Sequence, residues 1–460
     1  MNLTCLPARL QAMWAFGGAT GIVVAARLSG AAVMIGIQLA LAQIAGAGQL
    51  GLFFFATSLA AVAAVLAAGG YPNIVLKIVA RRRFAPERSG ALARTAAIDI
   101  SMASLGICGL VVAGSILATN ALPVLIAAAA IPLMAWGRLL NAFAVAQNRP
   151  VLANMPDLLG RPLVIGIGFV TLELTGVHID AVAAAWLFVA GVLVPVAFLT
   201  VAMIRSGLLL TAPADRRLRR LFRAMAFPLV AVSALTALMG DVAVITGGLF
   251  LSAADLGVFA LALKIALLIG FLIQTIHQIG LPWIAAEHSL RRIKPLRAQV
   301  IRTNRSAMAF AVAAAVFSTA LLPAMQSWLG EEFSGSVLVL AVLIAAQLAR
   351  AYLGPSVPAL VLVSANRLSS MLSLLASFTL VGGMALLAPR YGQLGAALAL
   401  AVTMLAWSGS AAVIAARRGL NTTGLGFWKS KPLARSMPVE SYRSPACPTS
   451  PQVSPRSELA

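Results

Sequence analysis

Several ionisable side chains stand inside otherwise apolar stretches of the chain: Arg27, Asp99, Arg138, Asp157, Arg161, Asp241, Lys264 and Arg350. In hydrocarbon such groups are costly, so they face a bundle interior or a watery path. Arg138 and Arg161 flank the Asn148-Arg149-Pro150 turn. At 1.5 Å per helical residue each is about 16 Å from it. Lys264 and Asp241 lie roughly 13–21 Å from the turn at Asp255 on the same reckoning. Both halves of the chain therefore place positive charge in a central layer. Guanidinium groups hold phosphate-like anions through paired hydrogen bonds. The chemistry open to this layer is the binding of an anionic group.

Two readings stay open for these residues. Arg27, Arg138, Arg161, Lys264 and Arg350 line the route of an anion, or they are structural partners. Asp157 and Arg161 are four apart on one helix face, and Asp241 can neutralise Lys264. Asp157 and Asp241 have a third reading, as sites for a coupling proton or sodium ion, although neither has a second carboxylate beside it in sequence. Arg27 can also snorkel to a membrane surface.

Other chemistry finds little support. Gly46-Ala47-Gly48-Gln49-Leu50-Gly51 has the glycine spacing of a dinucleotide loop, but the strand that such a loop must follow is absent. Cys5, Cys108 and Cys447 form no metal spacing and no disulfide framework. His277 and His288 have no nucleophile or carboxylate arranged as a triad. No cofactor and no metal is expected. Gly17 and Gly21, four apart, favour close helix contact.

The elements that must position these groups follow from composition. Of 460 residues, 61% are hydrophobic and 10% charged, and the mean hydropathy is +0.96. Soluble domains carry roughly 25% charged residues. Apolar runs near 20 residues recur almost to the end, which describes an all-α, multi-pass membrane protein. The first helix is expected from about Trp14 to Ala45, with its signal-like start retained, and the second from Leu50 to about Leu76. The third is expected over about Ala96 to Ala118, the fourth to near Gln147, the fifth to about Leu172 and the sixth to near Ile204. The seventh and eighth are expected at Phe227 to Leu251 and Leu256 to Trp283. The ninth ends near Trp328 and the tenth covers about Val337 to Ser364. The last two meet at Arg390-Tyr391-Gly392 and end before Arg417-Arg418.

The net charge of +21 falls mostly in alternate loops, so it argues topology and not nucleic-acid binding. Lys and Arg crowd Lys77 to Arg94, Arg205 to Arg223 and Arg291 to Arg305, while Glu173, Asp180, Asp255, Glu331 and Glu332 lie in the opposite loops. Basic loops stay in the cytoplasm, which gives twelve helices with both termini cytoplasmic.

The chain also repeats itself. Ala47-Gly48-Gln49-Leu50-Gly51-Leu52-Phe53 returns about 206 positions later as Ala253-Ala254-Asp255-Leu256-Gly257-Val258-Phe259. Ala146-Gln147-Asn148-Arg149 returns as Ser364-Ala365-Asn366-Arg367. Six helices per copy make the repeats parallel. The organisation expected is a six-helix lobe over 1–210, a basic linker over 211–223, a second six-helix lobe over 224–418 and a Pro/Ser-rich disordered tail over 419–460.

These motifs resemble the polysaccharide-biosynthesis branch of the multidrug/oligosaccharidyl-lipid/polysaccharide (MOP) exporter superfamily. The residues that carry the resemblance are Leu50-Gly51-Leu52-Phe53, Gly69-Gly70 to Lys77, Asp255 to Ala262 and Gly392-Gln393-Leu394-Gly395-Ala396-Ala397. The family commonly has Tyr-Gly where this chain has Leu50-Gly51 and Leu256-Gly257. The resemblance implies two lobes around a V-shaped central cavity that opens alternately to each side. It implies an inner-membrane flippase for a polyprenyl-pyrophosphate-linked oligosaccharide, with membrane lipids, a polysaccharide polymerase and chain-length proteins as partners. Three rivals stand beside it. A cation-coupled multidrug antiporter of the same superfamily would favour an acidic cavity. A major-facilitator carrier usually has Gly and Asp in the loop after its second helix, and Lys77 to Gly90 has no Asp. A membrane polymerase or glycosyltransferase needs a large outer loop with paired carboxylates.

Overall fold

The computed structural model describes residues 8–79, 86–115, 121–205, 216–217, 219–226, 239–289, 293–333, 335–362 and 366–424. Among these there are helices and turns but no strand. The helices of the first half are α1 (Ala8–Ala68), α2 (Tyr71–Ile78), α3 (Pro86–Ser115), α4 (Ala121–Ala128), α5 (Ala130–Ala146), α6 (Pro150–Met155), α7 (Arg161–Leu174) and α8 (Ala181–Arg205). A π-helical turn, Pro156–Gly160, joins α6 to α7. The second half holds α9 (Met239–Gly248), α10 (Ala253–Ser289), α11 (Ile293–Leu329), α12 (Ser336–Leu353), α13 (Ser356–Leu362) and α14 (Asn366–Arg417). Eight helical stretches among the described residues are long and apolar enough to cross a membrane. The chain is a multi-pass membrane protein.

Two of those stretches, Ala25–Ala68 and Leu368–Arg417, are 44 and 50 residues long. Each is a hairpin. Gly46 has φ 79° and ψ 171° inside α1, and Gly392 has φ 55° inside α14. Only glycine adopts such angles without strain. Leu41 and Phe53 line one small cavity, which a straight helix would hold about 18 Å apart. The turn expected over Gly46 to Gln49 is therefore a single residue, and helix resumes at Ala47.

Other boundaries move for identifiable reasons. The second helix stops at Ala68, because Gly69 takes φ 59°, and restarts as α2. The third begins ten residues earlier than expected, at Pro86, a residue suited to a first helical turn. Lys294, Arg297, Arg302 and Arg305 belong to α11 and not to a loop. The tenth breaks at Gly354 (φ 71°). The first part of the seventh helix, residues 227–238, and the tail beyond 424 lie outside the described residues.

The interior is built from small side chains. Ala47, Ala64, Ala96, Ala127, Ala135 and Ala260 are fully buried, with Phe54, Phe143 and Phe259 filling the wider gaps. In lipid, helices associate through close packing of this kind and not through a hydrophobic gradient. Large apolar residues such as Leu110 (75% exposed) and Phe378 (68% exposed) face outward, as contact with acyl chains requires. The long packing line runs between α1 and α10, and these two helices carry the repeated motif.

Candidate functional site

The repeated motif makes a reciprocal contact. A Cβ on Gly51 would overlap the carbonyl oxygen of Ala253, and a Cβ on Gly257 would overlap that of Ala47. Glycine at both positions lets two backbones touch. Three of the acidic loop residues, Glu332, Asp180 and Asp255, then prove to lie at helix starts at this same end. Glu332 Oε2 accepts from the N–H of Ala47 at 3.1 Å, so a carboxylate from the second half caps a helix of the first. Asp180 Oδ1 accepts from Val182 and Ala183 at 3.0 and 2.8 Å, and Gln49 Oε1 accepts from Ala181 N–H at 3.1 Å. Ser252 Oγ donates to Asp255 Oδ2 at 2.7 Å and accepts from its N–H at 3.1 Å, so the serine caps the start of α10.

Further along the same helices lies a layer of charge. Lys264 Nζ donates to Asp241 Oδ1 at 3.2 Å, and Ser58 Oγ donates to the same oxygen at 3.1 Å. The ammonium also stands 5.9 Å from the centre of the Phe54 ring. Asp157 and Arg161 pair at 3.4 Å, with the Asp157 side chain 64% exposed. The Arg161 guanidinium lies 5.6 Å from the Phe188 ring centre. Arg138, half-buried on α5, interacts electrostatically with Asp157, Arg161 and Asp241, yet makes no hydrogen bond or direct ion pair among the described residues. The two carboxylates that act on it electrostatically already have partners. The layer contains three cations and two carboxylates.

The pairings foreseen for Asp157 with Arg161 and for Asp241 with Lys264 are thus present. Arg27 and Arg350 sit among other neighbours. Arg27 lies over Phe271, 5.2 Å from its centre. Arg350 donates to Gln347 Oε1 at 3.0 Å. Gln347 is buried against Gly270, where a Cβ would approach its amide to 2.7 Å. Arg350 also acts electrostatically on buried His277. Sequence gave no signal for Ser58, Phe54 or Phe188, because each contact joins residues far apart in the chain. Gln347 lies three residues from Arg350 on one helix, a local spacing that sequence can show.

Asp99 leaves the set of central charges. Its carboxylate takes a bidentate contact from Arg223, Nε at 2.8 Å and Nη2 at 2.6 Å, and a hydrogen bond from the Tyr71 hydroxyl at 2.5 Å. Arg223, expected only as a loop charge, comes from a helical stretch at 219–226. Its hydrogen bonds with Asp99 push its pKa further up.

No family model matches the chain, and no curated protein matches it. Solved structures do. The lipid II flippase MurJ in an inward closed conformation aligns with TM-score 0.71 and 11% identity over 87% of this chain and 90% of that one. An inward-facing multidrug-resistance MATE transporter of the MOP superfamily aligns with TM-score 0.62 and 14% identity over 85% of this chain and 94% of that one. A MOP-superfamily transporter from Pyrococcus furiosus, described by the reversed polarity of its binding pocket, aligns with TM-score 0.53 and 14% identity over 87% and 95%. At such identities the likeness is one of architecture: the chain has the fold shared by MATE transporters and the MurJ flippase.

Proposed function

We propose that this protein is a flippase that moves a polyprenyl-pyrophosphate-linked oligosaccharide outward across a bacterial inner membrane, with both termini cytoplasmic. The observation that carries this reading is Arg138, a mid-helix cation without a direct partner, beside two ion pairs that leave the layer net positive. A pyrophosphate crossing hydrocarbon needs such a partner, and arginine supplies it with two parallel hydrogen bonds. Arg161 and Lys264, each already held over an aromatic face, are placed to join it. Cation–π contacts of about 0.5–2 kcal/mol hold these side chains without consuming their charge. Arg27 and Arg350 would meet the anion at other points of its route. An anion moving outward gains about 2.3 kcal/mol per charge per 100 mV of inside-negative potential. The lobes, 1–210 and 224–418, would rock about the backbone contact at Gly51 and Gly257. The fold shared with the MurJ flippase supports a lipid-linked cargo.

A second reading, a cation-coupled multidrug antiporter, draws on Asp241. That carboxylate accepts from both Lys264 and Ser58, and a proton or sodium ion could displace the lysine. The net positive layer favours the flippase.

The test is transport of lipid-linked oligosaccharide in vesicles. Arg138→Ala and Arg350→Ala should each slow flipping about tenfold or more, the loss expected when a charge-assisted hydrogen bond disappears, with the protein still folded. Unaltered flipping in both variants, or uptake of organic cations that Asp241→Asn abolishes, would reject the proposal.

A further inference from the structure

A cavity of about 830 Å³ opens between the α6–α7 segment and α8, and its lining includes Arg149, Leu152, Met155, Pro156, Pro195 and Phe198. We propose that this groove docks the isoprenoid tail of a phosphate-headed lipid, with Arg149 as the first contact for the phosphate. The proposal rests on the flippase reading and extends it to where the tail of the cargo lies.

The groove is made by backbone. Pro156 opens a π-helical turn on one wall, and Pro195 stands inside the continuous helix α8 on the other. Proline removes an N–H from the helical ladder and pushes the preceding turn aside. The two walls come together where Gly160 faces Pro195, close enough that a Cβ there would stand 3.5 Å from the proline ring. The volume of the groove falls in the range of small-molecule sites, about 300–1,000 Å³. Val194 and Phe198, 50% and 59% exposed, leave it open to the side.

Two features select an amphiphile over a plain hydrocarbon. First, Asn148, also on the rim, is the single non-glycine residue with positive φ among the described residues, at 60°. Asparagine tolerates that conformation better than most residues. It sets exposed Arg149 at the mouth, and that guanidinium has no carboxylate partner among the described residues. Second, the π turn serves two sites at once. Pro156 and Gly160 line the groove, while Asp157 on the same turn and Arg161 just after it form the ion pair that Arg138 senses. A tail in the groove and an anionic head in the charged layer would share one turn of helix as a wall. That arrangement fits one ligand with a long apolar part joined to a phosphate.

The experiment uses the full chain in phosphatidylcholine vesicles with a photoreactive polyprenyl phosphate, and maps adducts by mass spectrometry. Adducts at Leu152, Met155 or Phe198 that unlabelled polyprenyl pyrophosphate suppresses are expected. Arg149→Gln should weaken that competition about tenfold, as loss of one charge-assisted hydrogen bond requires. Leu152→Trp, which narrows the groove, should reduce the adducts. Arg149 is on the rim and exposed, so Arg149→Gln keeps the test independent of any packing defect in Leu152→Trp. Equal labelling by a photoreactive phosphatidylglycerol, or adducts that excess polyprenyl pyrophosphate leaves unchanged, would overturn the proposal and mark the groove as a bulk-lipid contact. The two readings fail separately. Competed labelling without oligosaccharide flipping supports the groove and rejects the flippase, and flipping with uncompeted labelling does the reverse.

Discussion

The same two helices, α1 and α10, meet in two different ways. At the acidic-loop end Gly51 and Gly257 bring backbone against backbone, and Glu332 locks the Ala47 helix start from the other half. Deeper in, polar side chains make the contact through a third helix: Ser58 of α1 and Lys264 of α10 both donate to Asp241 of α9, with Phe54 beneath the lysine. The first contact has no slack, because nothing can be added between two carbonyl-lined surfaces. The second can exchange partners, since a lysine ammonium rotates freely and a carboxylate accepts from several directions. A seam fixed at one end and adjustable in the middle suits a hinge with a working layer beside it.

The comparison breaks hardest at the seam. Gly51→Leu places a side chain into the Ala253 carbonyl, and should cost about 3 kcal/mol or more, at the top of the range for overpacking. Thermal unfolding in detergent measures it, and a wild-type midpoint would show that the seam has room. Next comes Asp241→Ala, which strands Lys264. A fully buried broken pair costs about 3–5 kcal/mol; here both side chains keep 22–27% exposure, so a loss on the order of 2 kcal/mol is expected. The double variant Asp241→Asn with Lys264→Gln should recover most of it, because no charge is left unpaired. Failure to recover would mean that the carboxylate serves stability by another route.

Glu332→Ala removes a cap and should cost about 1 kcal/mol. The loss should fall on the Ala47 helix start, read by faster hydrogen exchange there than in the charged layer. The smallest effect is expected at Arg223→Gln. Its side chain is 58% exposed, and water screens such pairs. Any shift in unfolding should fade at high salt, whereas the Asp241 shift should persist.

Much of this was legible in the sequence. Apolar runs, charge alternation and the repeated Leu-Gly-x-Phe motif identify a multi-pass helical protein and point to the places where its helices turn. They also pick out the mid-helix charges, since an arginine in hydrocarbon needs a reason wherever it lies. The four-residue spacing of Asp157 and Arg161 announced their pair, because helical geometry is local. Sequence could not show that Glu332 caps Ala47, that Asp99 belongs to Arg223, or that Arg350 acts on His277. Those contacts join positions up to 285 residues apart, and no local pattern encodes which distant side chain arrives. The π turn at Pro156 lies within an expected helix, and the groove beside it needs Pro195 on a neighbouring strand of chain. Local chemistry decides where a helix can bend, and only packing against the next helix decides what the bend encloses.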